Sequence, residues 1–75
     1  MIRELDQVVL TKPLPELMLE AGDIGTVVLV HANGAGFEVE FVTLAGETHA
    51  VTTLTADHVR PIDRREIASA RMLAA

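Results

Sequence analysis

The stretch Ala21-Gly22-Asp23-Ile24-Gly25-Thr26-Val27-Val28 is the strongest indication of architecture in this chain, because a tight turn leads directly into a strand. Gly22 and Gly25 permit the positive φ angles or close backbone approaches that other residues resist. Asp23 is suited to cap the turn by hydrogen bonding to nearby backbone. The Thr-Val-Val run that follows has a high strand propensity. The stretch therefore predicts a structural turn at Gly22, Asp23 and Gly25 that feeds a strand.

Short strands separated by turn residues fill most of the remaining chain. The clearest is the strand in which Phe37, Val39 and Phe41 alternate with two glutamates, Glu38 and Glu40. Alternation with a period of two is typical of a strand with one buried face and one solvated face. Similar patterns, bounded by turn residues, predict strands over residues 5–11, 24–31, 37–42, 47–54 and 58–62, with turns at 32–36 and 43–46.

The order of these elements predicts a small five-stranded SH3-like barrel over residues 1–62. A long connection, 12–23, separates the first two strands and takes the place of the RT loop of that fold. Two tight hairpins and a short helical turn at 55–57 complete the order. A closed barrel also leaves no exposed sheet edge, which is an advantage for a small all-β domain.

The last segment, 63–75, has a different composition. Asp63 and Glu66 have the spacing of a capping box, and the residues that follow are rich in alanine. This pattern predicts a short C-terminal α-helix. We therefore expect a mainly β chain with the barrel at 1–62 and a helical tail at 63–75.

Composition argues against several classes of protein. The chain has 75 residues, a formal net charge of −5 and no cysteine, which excludes disulfides and thiolate chemistry. Nucleic-acid binding needs a basic surface, but six Lys and Arg stand against eleven carboxylates, and there is no Trp or Tyr on which bases stack. The sequence shows neither a signal-peptide core nor the roughly 20 apolar residues of a membrane span. We expect a cytoplasmic protein with no membrane partner, and the composition disfavours a nucleic-acid partner.

No pattern in the sequence predicts catalysis, a metal site or a cofactor. The three histidines, His31, His49 and His58, lack the short spacing of zinc ligands. Strand alternation explains the glutamates, and Ser69 is the single serine. The glycine-rich turn at 33–36 precedes a strand, so it does not form the phosphate cradle that a helix N-terminus provides. We expect a protein that is not an enzyme and has no cofactor, and the sequence identifies no small-molecule substrate.

Pairing the predicted strands gives an expected register. Across the 43–46 turn, Val39 should face Ala50, and Glu40 should face His49 on the outer surface. Across the 32–36 turn, Leu29 should face Val39 in the core. The same register places three apolar residues on the outer face, namely Val28, Val30 and Val51.

This outer stripe needs a cover, because a contiguous exposed apolar patch often marks an interaction site. The tail helix is one candidate cover, through Ile67, and a second chain is another. The alternative is that the second strand is shifted by one residue or sharply bent, which would change the residues on this face.

The loop at 12–23 offers another candidate contact. Leu17, Met18 and Leu19 are consecutive and cannot all point inward. Met and Leu exposed on a long loop are common at adaptable protein contacts. In the alternative interpretation, Leu14, Leu17 and Leu19 fold back over the end of the barrel and leave Met18 exposed.

Several blocks of sequence, in order, resemble a family of short bacterial proteins, domain of unknown function 4926. The blocks are 19–28, 37–42, 46–48, 50–54 and 59–61. The resemblance spans residues 2–62, and it implies an SH3-like barrel and a small accessory protein, in some cases encoded beside a partner. Phe37 stands where the family pattern suggests tyrosine, and the tail after Pro61 lies outside the pattern.

These observations together favour a non-catalytic protein–protein interaction or accessory module, which self-associates or neutralises a neighbouring partner protein. Two alternatives stay open, a KOW-like nucleic-acid or ribosome-associated domain and a small regulatory subunit of an enzyme. The candidate contact residues are Leu17, Met18, Val28, Val30, Val51 and Ile67.

Overall fold

Five antiparallel strands make up the fold in the computed structural model, which describes residues 1–73. The strands are β1 (Gln7–Leu10), β2 (Ile24–His31), β3 (Gly36–Val42), β4 (Thr48–Thr55) and β5 (Val59–Pro61). Short 3-10 turns lie at Pro15–Leu17, Ala32–Gly34 and Ala56–His58. The strands form one sheet in the order β4-β3-β2-β1-β5.

Every strand contributes to a single apolar core. The most deeply buried side chains are small or medium aliphatic residues of β1, β2 and β3, and the two phenylalanines of β3 lie beside them. Because a domain of this size buries little surface, each of these contacts is a large share of its stability. The core residues are Val8, Leu10, Leu19, Val27, Phe37, Val39, Phe41, Leu54 and Val59.

The sheet does not close into the predicted SH3-like barrel. Within residues 1–73, β4 pairs only with β3 and β5 pairs only with β1, so these two strands form open edges. β5 is three residues long and ends at Pro61, which has no backbone N–H to donate to a further strand. The prediction of a mainly β, five-stranded chain is confirmed, and the prediction of closure is wrong.

The predicted C-terminal α-helix is also wrong. One of the two hydrogen bonds of a capping box is present, since the Asp63 amide donates to Glu66 Oε1 at 2.8 Å. The Glu66 amide donates to the Asp63 backbone carbonyl at 3.0 Å instead, and Asp63 Oδ1 accepts from the Arg65 amide at 2.9 Å. They close a single turn, and no helix follows through residue 73. Isolated helices of this length are marginal without an apolar face packed on the domain, and Ile67 is 91% exposed. The last two residues of the predicted helix, 74 and 75, lie outside the described residues.

An irregularity in β2 changes which residues point inward. Val27 faces Val39, but the register shifts by one residue between Val27 and Leu29, and Val30 then faces Phe37. Leu29 therefore lies opposite Glu38 on the outer face, and the prediction that it faces Val39 in the core is wrong. The alternative of a slip or bend in this strand is the correct one.

The pairing of β3 with β4 is displaced by two residues from the predicted register. Val39 faces Thr52 and Glu40 faces Val51, with a further irregularity at the start of β4. A displacement of two residues keeps each side chain on its face, because side chains alternate with a period of two. The expected partners were wrong, but Val51 still lies on the outer face.

No helix among residues 1–73 has the length and apolar character needed to cross a membrane.

Candidate functional site

The predicted Gly-Asp turn is present, and the side chain of Asp23 stabilises it. Gly22 has a φ of +99°, which is the left-handed region that favours glycine. The Asp23 amide donates to Glu20 O at 3.1 Å, and Asp23 Oδ2 accepts a hydrogen bond from the Glu20 amide at 2.8 Å. The carboxylate thus fixes the turn that delivers the chain into β2.

Gly25 acts through close approach rather than through an unusual φ angle. A Cβ atom at this position would lie 2.5 Å from Val39 Cγ1 and 3.0 Å from Phe41 Cε1. The absence of a side chain at Gly25 therefore allows the β2 backbone to approach the side chains of Val39 and Phe41 closely.

The tail returns to this turn through one arginine. Arg71 Nε donates to Asp23 Oδ1 at 2.8 Å, and Arg71 Nη2 donates to Asp23 Oδ2 and to Met18 O, the latter at 3.1 Å. Arg71 Nη1 also lies 3.6 Å from Glu20 Oε2. The hydrogen bond from Arg71 lowers the pKa of Asp23, and partial burial opposes that effect.

Sequence reasoning missed this contact, because the tail was expected to dock through apolar side chains on a helix. Ile67, the predicted docking residue, is 91% exposed. The one signal in the sequence was the charge of Arg71, since the turn it reaches is acidic.

The 12–23 loop folds over one end of the sheet. Leu14 and Leu17 pack against the core, Leu19 is buried in it, and Met18 remains 43% exposed. This is the alternative in which the three leucines fold back. Leu17 is therefore mainly a packing residue, whereas Met18 stays available for contact.

A hydrogen bond from His49 holds the 12–23 loop. Its Nε2 donates a hydrogen bond to Leu17 O at 2.6 Å, and its side chain is part-buried. The predicted pairing of His49 with Glu40 is wrong, because His49 lies at the β4 irregularity. Glu40 instead accepts a hydrogen bond from Thr48 Oγ1 at 2.7 Å.

The outer face of β2, β3 and β4 carries exposed apolar groups around a polar centre. Val28 is 41% exposed, Leu29 43% and Val51 55%, and the tail does not cover them. Val30, which was predicted on this face, packs against the core instead. The structure thus leaves Val28 and Val51 of the predicted stripe exposed, and Leu29 takes the place of Val30.

The polar centre of that face is Glu38. Its Oε2 accepts hydrogen bonds from Thr53 Oγ1 at 2.6 Å and from His31 Nε2 at 2.8 Å. The Thr53 hydroxyl and, after it, the His31 imidazole lower the pKa of Glu38. A carboxylate stabilised in its charged form on an open sheet face is poorly suited to act as a general acid or base at neutral pH.

Two further ion pairs tie connections to strands. Lys12 Nζ lies 2.7 Å from Asp57 Oδ2, and this contact holds the pKa of Asp57 well below its usual range. Arg60 of β5 forms a bidentate pair with Glu66, with Nη1–Oε1 at 2.8 Å and Nη2–Oε2 at 2.6 Å. This pair lowers the pKa of Glu66 to about 2.

The described part of the chain contains no group of three or more His, Asp or Glu side chains placed to hold a metal ion. An open groove of about 720 Å³ lies between the tail and the end of the sheet. Its charged walls are Asp23 and Arg71, which satisfy each other, and much of its remaining lining is apolar.

The fold and surface define a small, mainly β protein built on an open five-stranded antiparallel sheet. The chain matches the family described as Domain of unknown function (DUF4926) over residues 4–61, and it belongs to that family. No curated protein and no solved structure matches it. The matched region contains all five strands, and the tail that carries Arg71 lies beyond it.

Proposed function

We propose that this chain is a non-catalytic protein–protein interaction or accessory module. The observation that carries the proposal is the open edge formed by β4. This strand has eight residues, Thr48–Thr55, and within residues 1–73 it pairs on one side only. Its outward N–H and C=O groups are a template for the addition of another strand.

The surroundings of this edge support the same function. Val51 is 55% exposed on β4 itself, and Val42 is 49% exposed on the neighbouring strand. Exposed apolar side chains beside a free edge add contact area to the backbone hydrogen bonds that strand addition supplies.

A nucleic-acid role is less well supported. Three of the six basic side chains, Lys12, Arg60 and Arg71, already form ion pairs with carboxylates of the same chain. Forming phosphate contacts with them would require breaking those pairs, and the net charge of −5 repels the phosphate backbone. A regulatory subunit of an enzyme would be a special case of the proposed module.

The test is site-specific photo-crosslinking in cells that carry the natural gene. A photoreactive amino acid replaces Val51 in the tagged full chain, and a matched variant carries it at Arg64, in the exposed turn after β5. We expect protein adducts from position 51 that are absent from position 64.

A second substitution makes the result specific to the edge. Thr53→Lys places a charge on β4, where Glu38 is within reach to neutralise it in the single chain. It should remove the adducts from position 51 without lowering the unfolding midpoint. Equal adducts from both positions, or none from position 51, would contradict the proposed function.

A further inference from the structure

The two edges of the sheet differ sharply in their protection. β5 presents three residues, one of them Arg60, and ends at Pro61. Charge, proline and short length are the usual devices that stop a sheet edge from pairing with another chain. β4 has none of them, because its eight residues include no Lys, Arg, Asp, Glu or Pro.

The unprotected part of β4 is also regular. The irregularity that disturbs its pairing lies between Thr48 and Ala50, and six consecutive residues from Ala50 to Thr55 then pair without interruption with Phe41 to Gly36. A bulge would twist the edge away from a partner, but it affects only the first residues of the strand.

We propose that β4 pairs with β4 of a second copy of this chain, in antiparallel orientation, to form a continuous ten-stranded sheet. The proposal rests on the proposed function and names its partner. A two-fold axis normal to the sheet places one residue of β4 directly opposite the same residue in the second copy. With Thr52 on that axis, Val51 faces Thr53 of the other copy, and Ala50 faces Leu54.

The side chains of β4 suit this arrangement. Every opposed pair within β4 joins uncharged residues, and the Thr–Thr pair on the axis is of a kind that is favourable across antiparallel strands. The exposed Val51 side chain would gain a β-branched neighbour on the same face. The side chains of β4 are therefore compatible with those of β4 in a second copy.

The glutamates of β3 lie too far from the interface to prevent this pairing. Glu38 and Glu40 lie on β3, one strand in from the edge. Across the interface, the glutamates of the two copies are separated by about three strand spacings, roughly 14 Å. The Debye length at physiological ionic strength is about 8 Å, so their repulsion is largely screened.

The first measurement is the solution mass of the full chain over a range of concentrations. Refractive-index detection is needed, because the chain contains no Trp or Tyr. We expect a species of twice the 8.1 kDa chain mass. The double variant V51K/T53K should have the mass of one chain, because the proposed register would bring the two introduced ammonium groups of one copy directly opposite those of the other.

The matched control is V28K/L29K. It adds the same two charges to the same outer face, at residues with similar exposure on the interior strand β2. It should remain dimeric, and thermal unfolding followed by far-UV circular dichroism should show that both variants are folded.

A cross-link tests the register. Since the chain has no cysteine, Thr52→Cys introduces a single thiol that faces its own copy in the proposed dimer. Oxidation of that variant should give a covalent dimer. Thr11→Cys should not, because exposed Thr11 lies beside Asp57, just past the end of β4, and the proposed two-fold axis places that end of the two copies at opposite ends of the paired strands.

The outcomes separate the two proposals. A single-chain mass at all concentrations, or a dimer that V51K/T53K leaves intact, would overturn the β4 pairing. If adducts to a different protein still form at position 51, the interaction module stands and its partner is a foreign strand. If both the dimer and the adducts are absent, the proposed function fails as well.

Discussion

The guanidinium of Arg71 and the carboxylate of Asp23 join two segments that are 48 residues apart in the chain. Asp23 belongs to the turn that starts β2, and Arg71 belongs to a tail that has no regular structure through residue 73. The same carboxylate caps its own turn and holds the tail. The extended tail is therefore positioned by an ion pair rather than by a packed helix.

The coupling between Arg71 and Asp23 is measurable in a double-mutant cycle. Asp23→Ala should cost about 1 kcal/mol of unfolding free energy, since it removes the hydrogen bond to the Glu20 amide. Arg71→Ala should cost less, because its partner keeps that hydrogen bond. The double variant should be more stable than the sum of the two losses predicts, as expected for residues in contact.

Urea unfolding followed by far-UV circular dichroism provides the measurement. Arg64→Ala is the control, since it removes another tail arginine without touching the turn. Strictly additive losses in the cycle would show that the ion pair contributes nothing in solution.

Acid should weaken the contact between the tail and β5. Arg60 lowers the pKa of Glu66 from 4.5 to about 2 in the folded chain. Because the folded pKa is the lower one, the stabilisation is fully present above pH 4.5 and is lost as the pH falls through about 2. Arg60→Ala should flatten the dependence of stability on pH in that window.

The direct check is an NMR titration of the Glu66 side-chain carboxyl. Its midpoint should lie near 2 in the native chain and should rise in Arg60→Ala. A midpoint near 4.5 in both proteins would contradict the pairing of Arg60 with Glu66.

Gly25 should not tolerate even a methyl group. The Cβ of Gly25→Ala would lie 2.5 Å from Val39 Cγ1, so the β3 core would have to move. Overpacking of this kind costs about 1–3 kcal/mol. Gly36→Ala is the matched control, because its nearest heavy atom would be Leu54 O at 3.5 Å, which is an ordinary contact.

Thermal and urea unfolding of the two alanine variants should therefore diverge. Gly36→Ala should change stability by no more than about 0.5 kcal/mol. Equal losses at the two positions would show that close approach is not the reason for glycine at position 25.

The register shift in β2 predicts that an aspartate at Val30 lowers stability far more than an aspartate at Val28. Val30→Asp places a charge against the core and should cost about 2–3 kcal/mol. Val28→Asp lies on the outer face, where it should cost no more than about 0.5 kcal/mol. Denaturant midpoints decide between this register and the regular one, in which both valines would behave alike.

Local patterns in the sequence were sufficient for the strands and the first turn. The alternation in β3 correctly assigned Phe37, Val39 and Phe41 to the core, because period-two burial is a property of a single strand. Gly22 and Asp23 formed the expected turn, since its chemistry involves only residues within three positions of each other. Family membership also followed from these blocks.

The candidate contacts were harder to predict, because exposure depends on register. The sequence predicted Val30 on the outer face of β2, but a register shift of one residue places Leu29 there instead. No local pattern in the sequence indicates that shift. Leu17 packs against the core, and its backbone carbonyl accepts a hydrogen bond from His49, 32 residues away, so its surroundings involve distant parts of the chain.

Strand content, the Gly-Asp turn and the acidic balance of charge are all readable from the order of the amino acids, because they follow from local propensity and composition. The open sheet, the free edge of β4 and the course of the tail emerge only when the chain is folded. Closure depends on whether β4 and β5 meet, and helix formation in the tail depends on an apolar surface to pack against. Both are properties of distant segments brought together, and neither is encoded in the segment itself.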